Sequence, residues 1–492
     1  MQTSRSVAIH ELSRRHRIGI LAICSMSLLI VGLDVTIVNV ALPSIGREFG
    51  ASLSGLQWTV DAYTLVLASL LMLSGSTADR IGRRRTFILG LIIFSLASLL
   101  CSLAPSLGFL IAFRMVQAVG GSMLNPVAMS IITNTFTDPR ERAQAVGVWG
   151  AVVGIAMALG PVLGGTLVTS IGWRSIFWIN IPVGIAAIVL SLLFIPESQA
   201  PHPRRIDPIG QVLVVLALAG LTFGIIEGPQ RGWASPVIVA AFMVAIVAAI
   251  ALLRYEPRRE EPLIDFRFFR SVPFSSATLT AVTAFATMGG FLFINSLYLQ
   301  EVRGLSAVEA GIDTLPMAAM TMVVSPISGR IVGSRGSRLP LMVSGFALTV
   351  SCLMSTRIGP TTSFTWLFAA YVIFGIGFGL VNAPITNAAV SGMPRAQAGV
   401  AAGIASTSRQ IGQTLGVAVV GAVVTSRVSE SLHLGLASAS HLGWWILAGC
   451  GLLVFILGYV ATTPRALATA LKTAAELNPE YTLPESVGAA RR

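Results

Sequence analysis

The stretch that decides the fold is IGILAICSMSLLIVGLDVTIVNVA, residues 18–41. Its apolar run matches the length of a helix that crosses the hydrocarbon core of a bilayer, about 20 residues. Its one charged residue is Asp34, and an ionisable side chain inside a membrane is costly enough to indicate a function by default. A carboxyl group that loses and regains a proton there is what proton-coupled transport requires. The stretch therefore predicts a transmembrane helix and marks Asp34 as a candidate proton carrier.

Composition extends this prediction to the whole chain. Of the 492 residues, 54% are hydrophobic and 11% are charged, whereas soluble chains carry about 25% charged residues. One soluble core cannot absorb so much apolar sequence, so lipid is the solvent for most of it. The fold class we predict is an all-α polytopic membrane protein. The full-length apolar run after the basic N-terminus favours a first transmembrane helix over a cleaved signal peptide.

The formal net charge of +12 does not indicate nucleic-acid binding. The basic residues lie in short loops between apolar spans, not on one soluble face, so we expect no nucleic-acid partner. The sequence has no phosphate-binding loop and no metal-ligand spacing, and its four cysteines fall within apolar spans. These observations argue against an enzyme, a single-chain ATP-driven pump, a metal site and a bound cofactor.

Hydropathy predicts fourteen membrane-spanning helices, with both termini on the cytoplasmic side of the inner (plasma) membrane. In that arrangement inner loops and tails hold roughly 25 of the 33 Lys and Arg residues and outer loops roughly five, as the positive-inside rule expects. A twelve-helix interpretation would have to discount two apolar segments separated by Gly228-Pro229. The predicted helices are 18–42, 56–77, 86–104, 107–133, 144–168, 174–195, 208–227, 236–253, 273–300, 309–329, 339–357, 364–388, 398–425 and 441–462.

The two halves of the chain resemble each other at a spacing of about 254 residues. Residues 75–84 align with 329–338, and residues 142–145 align with 395–398. A parallel repeat of this kind builds a transporter from two six-helix bundles with the substrate site between them, and helices 7 and 8 are then an inserted pair. The predicted organisation is an N-terminal cytoplasmic tail over 1–17, bundles over 18–195 and 273–462, inserted helices over 208–253 and a cytoplasmic tail over 463–492.

Three charged residues are predicted to meet in the outer half of the N-terminal bundle. At about 1.5 Å per residue, Asp34, Asp61 and Arg114 lie roughly 6, 7–8 and 10 Å below the outer hydrocarbon boundary. Desolvation favours a neutral carboxyl group and a nearby guanidinium favours an ionised one, so an acid poised between them takes a proton from outside and releases it inside. The alternative is a carboxylate that pairs with Arg114 and only holds helices together. The second half has Met288 and Gly289 near the position of Asp34, so proton chemistry is expected in the first half.

The loop after the second helix combines one acid with a basic cluster, in Asp79, Arg80, Gly82, Arg83 and Arg84. Positive-inside anchoring explains part of the basic cluster but does not need an acid. A carboxylate at this place caps a helix N-terminus or binds an arginine. We therefore predict a latch that closes the inner side in one conformation, a gate rather than a substrate site.

Small residues recur at three- and four-residue spacing along the fifth helix, which ends in Gly160, Pro161, Gly164 and Gly165. Such spacing lets helix backbones approach closely. Pro161 adds a bend, because proline cannot donate the hydrogen bond to the carbonyl four residues earlier. We expect this segment at a helix–helix interface.

Candidate substrate contacts are polar and aromatic residues on the fourth, seventh, ninth, tenth and twelfth helices. A broad apolar cavity with aromatic walls and a few polar groups suits amphipathic cations or neutral compounds. For each residue alone, packing or a lipid-facing position is the alternative. Arg409 lies mid-span and needs a buried partner that the sequence does not identify. The candidates are Gln117, Asn125, Glu227, Phe285, Phe291, Asn295, Asp313, Asn382 and Asn387.

Five motifs in order resemble those of the major facilitator superfamily and, within it, of the fourteen-helix drug:proton antiporters. The resemblance covers nearly the whole chain, and several motifs in order are more specific than any one. One departure is Ala156, where the fifth-helix motif usually has glycine; alanine is still small, so we expect only a local change in packing. The motifs are Leu33-Asp34-x-Thr36-x-x-Asn39-Val40-Ala41-Leu42-Pro43, Gly75-x-x-x-Asp79-Arg80-x-Gly82-Arg83-Arg84-Arg85, Arg114-x-x-Gln117-x-x-Gly120-Gly121, Gly160-Pro161-x-x-Gly164-Gly165 and Trp173-Arg174-x-x-Phe177-x-x-Asn180-x-Pro182.

The resemblance implies proton-coupled efflux of hydrophobic, cationic or amphipathic compounds across the inner membrane, conferring drug resistance. It implies that the proton gradient replaces a cofactor and that the fifth helix seals the halves together against proton leak. The expected partners are the lipid bilayer, protons and small hydrophobic or cationic substrates; the sequence does not determine whether a periplasmic adaptor takes part. Three alternatives stay open: a dedicated exporter of one metabolite, antibiotic or lipid, a proton-coupled importer, and a transporter-like sensor. The fifth-helix motif argues against the importer.

Overall fold

The computed structural model of the chain describes residues 13–199, 206–259, 261–391, 393, 398–427 and 432–477. Within these residues the regular secondary structure is helical and includes no strand. The predicted tails extend beyond them, since residues 1–12 and 478–492 lie outside the described residues. The same holds for residues 395–397 of the second repeat copy.

The first helix shows how local sequence sets the helix ends. It begins after Ser13, whose side chain accepts a hydrogen bond from the backbone N–H of His16 (3.3 Å), and it ends at Gly50, whose φ of 58° lies in the left-handed region. Pro43 lies within it. The helices are α1 Arg14–Phe49, α2 Leu53–Ile81, α3 Arg83–Ser102, α4 Leu107–Thr135, α5 Pro139–Ser170, α6 Ser175–Trp178, α7 Asn180–Phe194, α8 Pro208–Arg231, α9 Pro236–Tyr255, α10 Val272–Leu297, α11 Ala307–Asp313, α12 Leu315–Arg335, α13 Arg338–Ser355, α14 Phe364–Val390, α15 Ala398–Thr425, α16 Leu432–Val460 and α17 Pro464–Leu477.

Thirteen helical segments of the described chain are long and apolar enough to cross a membrane, with α6–α7 and α11–α12 each counted as one segment. They include α8 and α9, the inserted pair that a twelve-helix interpretation discounts. The sequence predicts fourteen spans, and the difference is α15, which is not among the thirteen. A 28-residue helix does form over the predicted range. The polar run Thr407-Ser408-Arg409-Gln410 at its centre lowers its hydropathy.

The predicted C-terminal tail contains a further helix, the amphipathic α17. Its small face is buried at Ala466, Ala470 and Ala474. Thr469 Oγ1 accepts a hydrogen bond from the backbone N–H of Val272 (2.9 Å), and a salt bridge between Arg270 and Glu476 (2.9 Å) adds a second link. Hydropathy does not detect such a helix, because only one of its faces is apolar.

The chain divides into two compact units. The first unit comprises Met1–Ala219 and Asn295–Ala318. Its helices approach closely at glycines: a Cβ added to Gly160 would overlap the Thr36 side chain on α1, and a Cβ added to Gly120 on α4 would overlap the backbone of α3. Glycine is therefore what allows α1–α5 and α3–α4 to pack at this distance.

The second unit comprises Gly220–Ile294 and Ala319–Arg492. It is held by similar glycine contacts, such as that of Gly416 on α15 with the backbone of Ala286 on α10. Phe291 of α10 lies at the centre of an aromatic cluster, with ring centroids 4.1 Å from Phe374 and 5.4 Å from Trp444. Aromatic pairs at such separations contribute to packing beyond their buried area.

Candidate functional site

Asp34 forms a buried ion pair with Arg114 in the first unit. Arg114 Nη1 donates to Asp34 Oδ2, and the two side chains are 1% and 0% exposed. Asp34 Oδ1 accepts two further hydrogen bonds, from Gln117 Nε2 (2.8 Å) and Asn180 Nδ2 (3.3 Å). An ionised carboxylate is only an acceptor, so these three donors match its charged form.

Arg114 is held by more than the carboxylate. Its Nε donates to the backbone carbonyl of Thr59 on α2 (3.2 Å), and its Nη1 also donates to Gln117 Oε1 (2.8 Å). The guanidinium carbon lies 4.2 Å from the centroid of the Tyr63 ring and 6.0 Å from that of Phe177. Cation–π contact of this kind stabilises a desolvated cation. Arg114 would therefore keep partners on α2 and α4 without Asp34.

Ser98 of α3 closes the network behind the ion pair. Its hydroxyl accepts from Gln117 Nε2 (2.9 Å) and from Asn180 Nδ2 (3.3 Å). The structure thus places Gln117, predicted as a substrate contact, inside the polar network around Asp34, with both ends of its amide bonded to protein groups. Asn180 and Ser98 have no place in the predicted site. Their signal in the sequence is an amide or hydroxyl within an apolar span, which is weak because membrane helices also use such groups for packing.

Asp61 lies apart from this pair. It is fully buried on α2, and neither carboxylate oxygen accepts a hydrogen bond from the described residues. The neighbouring Thr64 hydroxyl donates to the backbone carbonyls of Val60 and Asp61 (3.5 and 3.3 Å). The structure therefore brings Asp34 and Arg114 together, whereas Asp61 forms an ion pair with neither arginine nor lysine in the part of the chain described.

The loop between α2 and α3 contains two linked ion-pair systems. Asp79 at the end of α2 pairs with Arg83 at the start of α3 (3.1 Å). Glu197, which follows α7, accepts from the backbone N–H groups of Arg84 (3.1 Å) and Arg85 (3.3 Å) and so caps α3. Its carboxylate also lies 3.9 Å from Arg84 Nε and 3.6 Å from Arg85 Nε. The sequence analysis does not identify Glu197, because it lies more than a hundred residues along the chain from the cluster.

Within this loop, Gly82 lies against protein groups, whereas Arg80 is exposed. Gly82 has φ of 121°, and a Cβ there would meet the Glu197 carboxylate, so glycine is required on both counts. Arg80 is exposed at the end of α2.

The small residues of α5 lie at helix contacts. Gly160 and Gly164 face Thr36 and Ile37 of α1. A Cβ added to Gly165 would overlap the backbone of Ala307, and one added to Gly311 would overlap that of Pro161. The motif therefore joins α5 to α1 on one side and to α11 on the other, within the first unit.

Several predicted substrate contacts are packed against protein. Phe291 is buried in the aromatic cluster, and Asn295 is buried as well. Glu227 pairs with Arg231 one turn along α8 (2.7 Å), and Asn387 donates to Ser337 Oγ (3.0 Å). These groups interact with the protein in this structure.

The remaining candidates are less buried. Asn125, Phe285, Asp313 and Asn382 are each partly exposed. Asn125 Oδ1 is buried and accepts no hydrogen bond from the described residues. Phe285 packs edge-on against Phe378, with centroids 5.2 Å apart. A ligand could still reach these four and also Asn387, which is exposed despite its hydrogen bond to Ser337.

Membrane-length helices around a buried ion pair define the class of the protein as a polytopic membrane transporter. Residues 24–417 match the Major Facilitator Superfamily, and the chain belongs to this superfamily. It is a transporter and not an enzyme.

Its relatives include drug and antibiotic transporters. The chain is 36% identical over 414 residues to the multidrug resistance protein Stp of Mycobacterium tuberculosis, covering 84% of this chain and 77% of that protein. It is 36% identical over 413 residues to the tetracenomycin C resistance and export protein of Streptomyces glaucescens, covering 82% and 76%. It is 33% identical over 422 residues to a methylenomycin A resistance protein of Bacillus subtilis, covering 85% and 90%.

A solved structure shares the fold. The inward-facing, unoccupied structure of a bacterial homologue of the human lysosomal transporter Spinster aligns with a TM-score of 0.64 at 21% identity. The alignment covers 94% of this chain and 99% of that one.

Proposed function

We propose that this protein exports small hydrophobic or amphipathic compounds, cations among them, in exchange for protons and so confers drug resistance. The observation that carries the proposal is the buried Asp34–Arg114 pair, a titratable group inside a membrane fold. The names of the relatives, multidrug resistance and antibiotic export, support the outward direction.

The proposal includes an arrangement in the plasma membrane. The fourteenth span is α15, and bundles over 18–195 and 273–462 flank the inserted helices over 208–253. Both termini lie in the cytoplasm, as the positive-inside count favours. The polar face of α15 then lies inside the protein and not against lipid.

Protonation of Asp34 is the proposed coupling step. A proton on the carboxyl removes the charge that Arg114 binds, and Arg114 retains the Thr59 carbonyl and the Tyr63 ring. Protonation thus weakens the link between α1 and α4, which keeps the hydrogen bond from Gln117 to the Asp34 carboxyl group. Because α1 packs on α5 at Thr36, a shift of α1 reaches the glycine motif.

Asp61 is the second proposed proton site. It is fully buried on α2 and forms no ion pair among the described residues, unlike Asp34. Because the two carboxyl groups have different surroundings, proton binding and proton release can occur at separate sites.

The loop between α2 and α3 is the proposed inner gate. Asp79 and Glu197 bind arginines that directly follow Gly82, so the start of α3 is tied to α2 and to the segment after α7. Opening the inner side requires these partly exposed pairs to separate.

The proton gradient supplies enough energy for such a cycle. One pH unit provides about 1.4 kcal/mol per proton, and 100 mV provides about 2.3 kcal/mol per charge moved. Together they supply about 3.7 kcal/mol for each proton, a several-hundredfold gradient of a neutral compound exchanged one for one. A cation exchanged one for one moves no net charge, so only the pH term acts and the gradient is about tenfold.

The test is ethidium efflux from proteoliposomes under an imposed pH gradient. We expect the parent to respond to the gradient and Asp34→Asn to lose that response while still binding ethidium. The matched control is Asp265→Asn, which changes a carboxylate that pairs with Arg267 outside the spans. Gradient-driven efflux by Asp34→Asn at the parental rate would overturn the assignment of coupling to Asp34. No efflux by the parent would overturn cation export.

A dedicated exporter is the second candidate. The observation that favours it is that two relatives are named for resistance to one antibiotic each, tetracenomycin C and methylenomycin A. A resistance panel separates the two functions. Protection against one compound class supports the dedicated exporter, and protection against unrelated classes supports the multidrug pump.

A further inference from the structure

The helix α15 differs from the other long helices in having a polar centre. Thr407, Ser408, Arg409 and Gln410 follow one another in the middle of its sequence. A charged side chain within a membrane span is costly and is retained where it binds a partner or lines a polar cavity. Arg409 is therefore expected to bind a partner or to line a polar cavity.

Arg409 has no acidic partner among the residues that the structure describes. Its Nη2 donates to Thr386 Oγ1 (2.6 Å), and its Nε is buried without an acceptor. The guanidinium carbon lies 5.9 Å from the centroid of the Phe285 ring. A hydroxyl and a ring do not neutralise a guanidinium, which has five N–H donors.

Close packing fixes Arg409 in this position. Gly412 lies against the backbone of Val282, and Gly289 lies against the backbone of Gln413. These contacts set the register of α15 on α10 and bring Phe285 opposite Arg409. The arrangement is thus built by the fold and does not depend on a mobile surface side chain.

The Thr386 hydroxyl is oriented as an acceptor. It donates its hydrogen to the backbone carbonyl of Asn382 (3.2 Å), which leaves its lone pairs for Arg409. Thr386 is exposed and Asn382 is partly exposed, so a ligand can approach this end of the guanidinium.

The contrast with Arg114 shows what is missing. Arg114 binds a carboxylate, a backbone carbonyl and an amide oxygen, and it lies over an aromatic ring. Arg409 has the ring and one hydroxyl, without the carboxylate. A guanidinium fork with free donors beside an aromatic ring suits an oxyanion attached to an aromatic body.

We propose that Arg409, Thr386 and Phe285 form a substrate subsite that binds an aromatic oxyanion, a carboxylate, phenolate or sulfonate. The subsite rests on the proposed export function and adds a substrate class to the cations expected from sequence. The oxyanion replaces the absent carboxylate partner of Arg409, and its ring packs against Phe285.

The test is equilibrium binding to the purified full chain in nanodiscs, without any gradient. The probes are 2-naphthalenesulfonate and its neutral analogue 2-naphthalenesulfonamide, which have the same ring and nearly the same size. We expect the parent to bind the sulfonate at least tenfold more tightly. A parent that binds both equally, or neither, overturns the proposal.

Variants locate the site. We expect Arg409→Gln to lose the tenfold preference and to retain sulfonamide binding, and Arg409→Lys to keep part of the preference. The control is Arg427→Gln, which removes an exposed arginine after the same helix. An undiminished preference in Arg409→Gln overturns the assignment. If Arg409→Gln does not fold, a second result would overturn the assignment: a full preference for the sulfonate in Arg409→Lys together with an abolished preference in Arg427→Gln. Because binding needs no gradient, its outcome is independent of the proton-coupling test at Asp34.

Discussion

At the scale of single residues, Asp34 and Asp61, two buried carboxyl groups of the first unit, differ in what surrounds them. Asp34 accepts hydrogen bonds from three side chains, whereas Asp61 accepts none from the described residues. Removing a neighbouring side chain is therefore expected to affect the two carboxyl groups differently. At Asp34 it strands a charge, and at Asp61 there is no donor to lose.

Separating Asp34 from Arg114 is expected to be destabilising, and removing both charges less so. Arg114→Gln should lower the free energy of unfolding by about 3–5 kcal/mol, because it leaves a buried carboxylate without its cation. In Asp34→Asn/Arg114→Gln the loss should be smaller than the sum of the single losses. Unfolding by SDS titration in mixed micelles measures the losses of the two single variants and of the double variant.

The control for this cycle is an exposed ion pair. Arg174→Gln breaks the pair of Arg174 with Glu48, whose side chains are 34% and 43% exposed. Its loss should stay within about 1 kcal/mol. Strict additivity of the Asp34 and Arg114 losses would contradict the prediction.

The sequence predicts part of this site for a physical reason. Depth along a helix follows from counting residues, so the heights of Asp34 and Arg114 could be matched before the structure was known. Depth does not fix the direction in which a side chain points around its helix. Asn180, Ser98 and Glu197 therefore emerge only from the structure, and so does the separation of Asp61 from the ion pair.

At the scale of elements, two prolines inside helices create acceptors that neighbouring helices use. Proline has no N–H, so the carbonyl four residues earlier loses its helical partner. Pro43 frees the carbonyl of Asn39, which accepts from Ser296 Oγ (2.6 Å). Pro384 frees the carbonyl of Leu380, which accepts from Ser328 Oγ (2.8 Å).

The pair of Pro384 and Ser328 gives a testable coupling. Ser328→Ala should lower the free energy of unfolding by about 1–3 kcal/mol, because it leaves a buried carbonyl without a donor. In the background of Pro384→Ala the same change should have a smaller effect, since alanine restores the N–H. The SDS titration used for the ion pair measures this double-mutant cycle.

The control is a serine with no proline-freed partner. Ser334 is exposed and donates to the backbone carbonyl of Arg330 (2.9 Å), so Ser334→Ala should have little effect in either background. Equal losses for Ser328→Ala with and without Pro384 would show that the serine does not serve the freed carbonyl.

Helix boundaries follow from sequence only where lipid sets them. The apolar stretch of α1 predicts 18–42, whereas the helix runs Arg14–Phe49, because its ends are set by Ser13 and Gly50 outside the apolar run. The helix α15 forms where it is predicted, yet its polar centre removes it from the thirteen apolar spans. The same polar centre contains Arg409, so the one predicted span that is missing from the thirteen also contains a candidate site.

At the scale of the whole molecule, the two units have different buried charges. The described part of the first unit contains the Asp34–Arg114 pair and Asp61. The second contains the buried Glu256 and the partly buried Arg409, which forms no ion pair with a described residue. This agrees with the degenerate repeat, in which Met288 and Gly289 occupy the region equivalent to Asp34.

This division predicts how membrane potential acts on different substrates. Export of an anion moves one more unit of charge than export of its neutral analogue, whatever the number of protons exchanged. A potential of 100 mV, negative inside, should therefore favour export of 2-naphthalenesulfonate over 2-naphthalenesulfonamide by about 2.3 kcal/mol, or about 50-fold at steady state. Proteoliposomes with a potassium diffusion potential at equal pH measure this ratio. Without the potential, and at equal pH, no driving force remains, so the ratio should fall to about one, and in Asp34→Asn neither compound should accumulate. A ratio that does not change with the potential would mean that the sulfonate is exported together with a compensating cation. That result would contradict the proposal that the Arg409 subsite binds the sulfonate as an anion on its own.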